Sequence, residues 1–149
     1  MTSPTRLSPR LSAMVDALPL RPGTRVLEIG CGPGAAARAV ARRIGPDGHI
    51  LAIDRSSRAI RITEAASAAA IASGVMSVRC VAIEDFELLP GEAPFDLAFA
   101  VRVGVLDGRH PRRTEDAIRR ICNALVPGGR LFIDGGDPLR EIPLDRPTV

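Results

Sequence analysis

The stretch Val26-Leu-Glu-Ile-Gly-Cys-Gly-Pro-Gly34 constrains the fold more than any other part of the chain. An apolar run reaches an acid, meets three glycines in five positions, and passes into an alanine-rich segment. The run reads as a strand, the glycines as a sharp turn and the alanine segment, 35–44, as a helix. Gly30, Gly32 and Gly34 let the backbone turn with no Cβ between it and a ligand. The helix behind them offers unpaired N–H groups and the positive end of its dipole. Such a turn suits a pyrophosphate, a ribose or an amino-acid carboxylate.

The same alternation continues along the chain. Ser8 before Pro9 reads as a helix start, with Leu11, Met14, Val15 and Leu18 on one stripe. Residues 26–29 form the expected first strand. Residues 49–53 form the second, which ends at Asp54. Ser56 or Ser57 caps a helix reaching about Ala72, before Gly74. Residues 78–83 are the expected third strand, 95–103 hold the fourth, and 130–133 are the fifth. Between the last two, Thr114 reads as an N-cap, with Glu115 and Asp116 in the first turn. Ile118, Ile121, Cys122 and Leu125 make that helix's inner face, and Pro127-Gly-Gly129 stops it. Strands alternating with helices predict an α/β fold: a mostly parallel sheet with helices on both faces. In such sheets ligands bind beyond the carboxyl ends of the strands, where the strand order reverses.

Composition narrows the function classes. The length, 149 residues, favours one domain with one core. No apolar run approaches the roughly 20 residues of a membrane span, and prolines and charges interrupt the N-terminal segment where a signal peptide would have its core. A cytoplasmic protein is expected. Cys31, Cys80 and Cys122 are too scattered for a disulfide framework or a zinc site, so no metal is expected. The net charge is +3 with arginine as the only strong base, and the aromatics are four Phe. That leaves little to stack on bases, so nucleic acid is not indicated.

The glycine turn alone fits two cofactors. Gly30, Gly32 and Ala35 satisfy the dinucleotide spacing, and Asp54 lies about 20 residues on, where that fingerprint has its ribose acid. Glu28, Gly30, Gly32 and Gly34 also form E-x-G-x-G-x-G, which resembles motif I of the class I S-adenosylmethionine-dependent methyltransferases. Three further stretches resemble that family: His49-Ile-Leu-Ala-Ile-Asp-Arg-Ser56, Ala93-Pro-Phe-Asp-Leu-Ala-Phe-Ala-Val-Arg-Val103 and Ala124-Leu-Val-Pro-Gly-Gly-Arg-Leu-Phe-Ile133. The resemblance covers about residues 20–134. It implies a Rossmann-like sheet of order 3-2-1-4-5 in a single domain. Residues 1–22 would be a helix and linker, 23–134 a cofactor-binding core and 135–149 a tail.

The resemblance also implies roles. S-adenosylmethionine would be the cofactor and S-adenosylhomocysteine the product. Glu28 would lie near the methionine amino group, and the loop Gly30, Cys31, Gly32 and Gly34 would pass beneath the methionine and ribose. Asp54 would accept both ribose hydroxyls, and Arg55 would stack over the adenine. For the acid at the adenine amino group, counting from the strand favours Glu84 and counting back from Leu89-Pro90 favours Asp85. The second count is preferred, with the backbone of Asp85 or Phe86 at the ring edge. Positions 100–103 read Ala-Val-Arg-Val where amino-methylating relatives carry Asn-Pro-Pro-Tyr, which disfavours N6-adenine and glutamine-amide acceptors. Arg102 would pair with an acidic substrate group, with the cofactor carboxylate, or with Glu28 or Glu84. Asp107 and His110 are the candidate general bases, since histidine titrates near neutrality; a lone loop histidine is more often a solvated polar residue. Arg109, Arg112 and Arg113 would attract an acidic substrate.

After strand five the family continues with a helix and two strands, for which residues 135–149 are too few. The expected fifth strand is therefore an uncovered edge. The tail folds along it, two chains pair there as a homodimer, or a partner completes it. The expected function is methyl transfer to an unidentified acceptor. The alternatives are a non-catalytic cofactor-binding module or partner subunit, and a nicotinamide dinucleotide-binding protein.

Overall fold

The computed structural model describes residues 7–106 and 111–144. Helix α1 (Pro9–Ala17) starts as its sequence demands: Ser8 Oγ accepts from the Leu11 N–H at 3.2 Å, and Pro9 fills the first position. Strand β1 (Arg25–Ile29) leads into α2 (Ala35–Ile44), then β2 (His49–Asp54). Of the two candidate caps, Ser56 is the one used, its Oγ accepting from Ala59 N–H, and α3 spans Ser57–Ala66. Strand β3 (Met76–Cys80) follows a short α4 (Ala68–Ala72). Strand β4 (Phe95–Ala100), α5 (Pro111–Ala124), β5 (Leu125–Asp134) and β6 (Leu139–Ile142) complete the order.

The sheet has the order β3-β2-β1-β4-β5-β6, parallel throughout except for β6. The order in which successive strands are laid across the sheet reverses between β1 and β4, which places a ligand crevice at their carboxyl ends. One face is covered by α1 and α2 with Ile60 of α3. Helix α2 lies close on that face because the side chains it buries are mostly small: Ala36, Ala37, Ala39 and Ala41, with Val40 and Ile44. The other face is covered by α5 through Ala117, Ile121 and Ala124, and by Ile83 and Phe86 from the loop after β3. Arg79 and Glu92 (2.7 Å) and Arg120 and Glu87 (2.7 Å) tie that loop down.

Several boundaries differ from expectation for physical reasons. Strand β3 runs over Met76–Cys80 rather than 78–83, because its partner β2 ends at Asp54 and offers no ladder beyond. The expected continuous helix to Ala72 breaks at Ser67, whose buried hydroxyl takes the Arg38 guanidinium at 3.1 Å. Thr114 is not an N-cap. It lies inside α5, and its hydroxyl donates to the Val105 carbonyl. Leu125 is the first residue of β5 rather than part of α5's face. Strand β5 begins five residues early because Pro127-Gly-Gly129 is a bulge within it: Phe95 pairs with Leu125 but Leu97 with Arg130.

The sheet has six strands, not five, and the β5 edge is closed. Leu139–Ile142 runs back antiparallel, from Asp134↔Leu139 to Leu131↔Ile142. Of the expected outcomes for that edge, the tail folding along β5 is the one observed. Shortening the chain after Gly136 uncovers Leu131–Asp134 and their unpaired backbone groups. Light scattering should then show concentration-dependent association that the intact chain lacks.

Candidate functional site

The ends of β1 and β2 build the site together. The Ile53 carbonyl accepts from both Gly30 N–H (2.9 Å) and Cys31 N–H (3.0 Å). Asp54 then reaches across: one oxygen accepts from Gly32 N–H at 3.1 Å, the other from Ser56 N–H at 2.9 Å. Gly34 N–H donates to the Cys31 carbonyl at 3.0 Å. Residue 33 is proline, so every backbone N–H from Gly30 to Gly34 is already engaged within the protein.

Gly32 and Gly34 show why the turn needs glycine, for two different reasons. Both have left-handed backbone, φ +51° and +84°. A Cβ on Gly32 would meet nothing within 4 Å and would fill open space, whereas one on Gly34 would strike Thr63 at 2.7 Å. Gly34, not Ala35, is thus the third required glycine position, and Ala35 is simply the first residue of α2.

Two residues that the sequence reading did not single out brace the turn from below. Thr63 is fully buried, and its hydroxyl donates to the Gly32 carbonyl at 2.7 Å. Buried Arg38 donates from Nη1 to the Pro33 carbonyl at 2.9 Å. A charged residue on α2's otherwise apolar, alanine-lined face is the signal that marks Arg38. Thr63 carries no comparable signal.

Beyond these strand ends lies a cavity of about 320 Å³. Of the expected site residues, Gly30, Gly32, Asp54, Arg55, Glu84 and Arg102 line it. The expected preference for Asp85 over Glu84 is reversed in position: Glu84 lines the cavity, while Asp85 points to solvent on the single 3₁₀ turn Ile83–Asp85. Phe86 is buried beneath, packed against the sheet. Cys31 is buried beside Thr63, and burial, reinforced by Glu28, pushes its thiol up to about 12; it is an inert packing group. Asp107, Arg109 and His110 lie outside the described residues. The second histidine, His49, is engaged at the far end of β2 by the Gly74 carbonyl and Ser77.

Glu28 is 3% exposed, and its Oε1 has no hydrogen-bond partner among the described residues. Burial, with the nearby Asp54 charge, pushes its carboxyl up to about 8; Arg38 opposes this. Arg102 does not pair with Glu28 or Glu84. Its backbone N–H donates to Asp134 Oδ1 at 3.0 Å, its φ is +57°, and its guanidinium has no ion-pair partner among the described residues. A left-handed non-glycine at the end of a strand that lines a cavity is local backbone strain.

A second cavity of about 550 Å³ adjoins the first, lined by Ala100, Leu106, Ile133, Asp134, Gly135 and Arg140. Arg102 and Val103 line both cavities.

Two measurements check this account. Thr63→Val keeps the shape but leaves the Gly32 carbonyl without its partner. Urea unfolding should show a loss of about 1–3 kcal/mol, which Thr63→Ser largely restores. Glu28 holds a proton in the fold at pH values where the unfolded chain has lost it. Stability should therefore fall as pH rises from about 4.5 to about 8. In Glu28→Gln that part of the slope, at most about 1.4 kcal/mol per pH unit, should vanish from a pH series of thermal melts.

A family model described as a methyltransferase domain matches residues 26–129. The protein-L-isoaspartate O-methyltransferase of Methylorubrum populi is 38% identical over 128 residues, covering 86% of this chain and 52% of that one. The nocamycin O-methyltransferase of Saccharothrix syringae is 34% identical over 131 residues, covering 86% and 44%. Among solved structures, the [4+2]-cyclase SpnF superposes with a TM-score of 0.66 at 30% identity, covering 83% of this chain and 43% of that one. The chain spans about half the length of these relatives. The chain belongs to the class I S-adenosylmethionine-dependent methyltransferase family.

Proposed function

We propose that the chain binds S-adenosylmethionine in the first cavity and directs its methyl group onto an acceptor in the second. The observation that carries this is the state of the glycine turn, with all its N–H groups consumed and Asp54 closing it. A pyrophosphate at such a turn draws donors from the loop as well as from the helix behind it; between Gly30 and Gly34 none remains, so a nicotinamide dinucleotide would be left with only the first N–H groups of α2. A ribose diol needs acceptors, and each Asp54 oxygen takes one N–H and keeps a second lone pair.

Other features fit the same cofactor. The open space at Gly32 admits close approach of a ligand to the backbone. Glu84 lines the same cavity, and its carboxylate suits the amino group of an adenine. Glu28, beneath the turn, has an Oε1 with no hydrogen-bond partner among the described residues, and a cationic ligand beside it would favour release of its proton and so its charged form. When bound, S-adenosylmethionine supplies a methyl carbon made electrophilic by its sulfonium. The chain's own contribution is position and exclusion of water. Val101 and Val103 give the wall of the cavity at β4's end an apolar surface suited to that exclusion. An acceptor that must lose a proton would need a base, and Asp107 and His110 are the residues we assign to that role. The free thiols of Cys31, Cys80 and Cys122 suit a cytoplasmic setting.

A second reading is cofactor binding without methyl transfer. It draws support from the likeness to SpnF, a protein described as a cyclase.

Calorimetry with S-adenosylhomocysteine tests the main reading. Asp54→Ala should weaken binding by about tenfold or more, the loss of one or two charge-assisted hydrogen bonds. Glu84→Ala should weaken it less, and Asp85→Ala should leave it unchanged. Absence of binding by the intact chain would overturn the reading, and an NADH fluorescence titration should show no response. Binding without turnover on any acceptor would favour the second reading.

A further inference from the structure

We propose that the second cavity takes a small acceptor carrying a negatively charged group, a carboxylate or phosphate on an apolar body, held by Arg102 and Arg140. The location beside the cofactor cavity rests on the methyltransferase reading. The charge of the ligand rests on the cavity itself.

Arg140 sits on β6 opposite Ile133, so the two side chains share a face of the sheet. Ile133 packs into the core on the α5 side, and so does Ile142, two residues along from Arg140. Arg140 therefore stands on that same face, one step beyond the last core residue, at the carboxyl end of β5. Arg102 reaches the cavity from the end of β4, where the Asp134 carboxylate fixes its backbone N–H.

The charges do not cancel within this cavity. Asp134 is its one acid among the described residues, and both carboxylate oxygens are engaged: Oδ1 by Arg102 N–H, Oδ2 by the Arg10 guanidinium at 3.1 Å. The guanidinium groups of Arg102 and Arg140 have no ion pair or hydrogen bond among the described residues. Solvated arginines without partners are ordinary on a convex surface. These two are themselves exposed, but they line one concave wall beside Ala100, Val103, Leu106 and Ile133, so a ligand seated there would meet both charges against an apolar surface. Guanidinium matches carboxylate and phosphate through paired N–H donors. The apolar residues opposite would cover the remainder of the ligand, and about 550 Å³ holds a drug-sized molecule. The first cavity carries acids as well, Asp54 and Glu84, beside Arg55, Arg102 and Arg113, whereas Asp134 with both oxygens engaged is the one described acid of the second. Arg102 and Val103 form the wall between them.

Titration with benzoate, phenyl phosphate and neutral benzamide, followed by NMR of backbone amides, tests the proposal. It is run with and without saturating S-adenosylhomocysteine. At least one anion should bind at least tenfold more tightly than benzamide and shift Val103, Gly135 and Leu139; which one does so separates carboxylate from phosphate recognition. Arg140→Gln should weaken that anion at least tenfold while the affinity for S-adenosylhomocysteine stays unchanged. Arg102→Gln should weaken it as well. Equal binding of benzamide, no binding of either anion, or an Arg140→Gln protein that binds as the parent does would each overturn the proposal. Failure of S-adenosylhomocysteine to bind would instead overturn the cofactor assignment, with the anion titrations still deciding the charge of the second cavity.

Discussion

The whole site hangs on how β2 ends. Ile53 gives its carbonyl to two successive N–H groups of the glycine turn, and Asp54 gives a carboxylate oxygen to a third. Parallel strands bring their carboxyl ends level, so the turn leaving β1 is caught by the strand beside it. The catch satisfies donors that would otherwise be buried or compete for a ligand. It also leaves Asp54 half used, with lone pairs facing the cavity. One side chain thus closes the turn and also lines the cavity.

Beneath this lies a polar brace in an apolar layer. Thr63 and Arg38 hold the Gly32 and Pro33 carbonyls, and Ser67 holds Arg38 in turn. Buried polar groups are costly unless satisfied, and here they satisfy one another while pinning the turn. The break between α3 and α4 at Ser67 belongs to the same arrangement. Helix continuity is interrupted where the chain turns a hydroxyl inward to meet the guanidinium.

Much of this was legible in the sequence, and the parts that were not share a cause. The glycine turn, Asp54, the Ser8 and Ser56 caps and the order of β1 to β5 follow from local chemistry and period. The β3 boundary did not, because it is set by the length of a neighbouring strand. Nor did the bulge at Pro127-Gly-Gly129, which looked like a helix stop and is accommodated inside a strand by pairing with β4. Which of Glu84 and Asp85 lines the cavity is set by a single 3₁₀ turn, whose rotation no residue count reveals. Strand β6 is four residues long with two charged members, a pattern too short to read without β5 beside it. Thr63 is an ordinary threonine until the fold brings a carbonyl to it.

Helix α2 has a consequence for how this domain can vary. Its contact with the sheet is built largely from methyl groups, at Ala36, Ala37, Ala39 and Ala41. Such a face has almost nothing to lose by truncation, since a glycine there removes one carbon and mainly relaxes the helix backbone. Enlargement is different: any longer side chain must push the helix away from β1 and β2 and lift the glycine turn at its head. Tolerance along this surface is one-sided. Drift toward bulk would be felt first not as a weakened core but as a displaced cofactor loop.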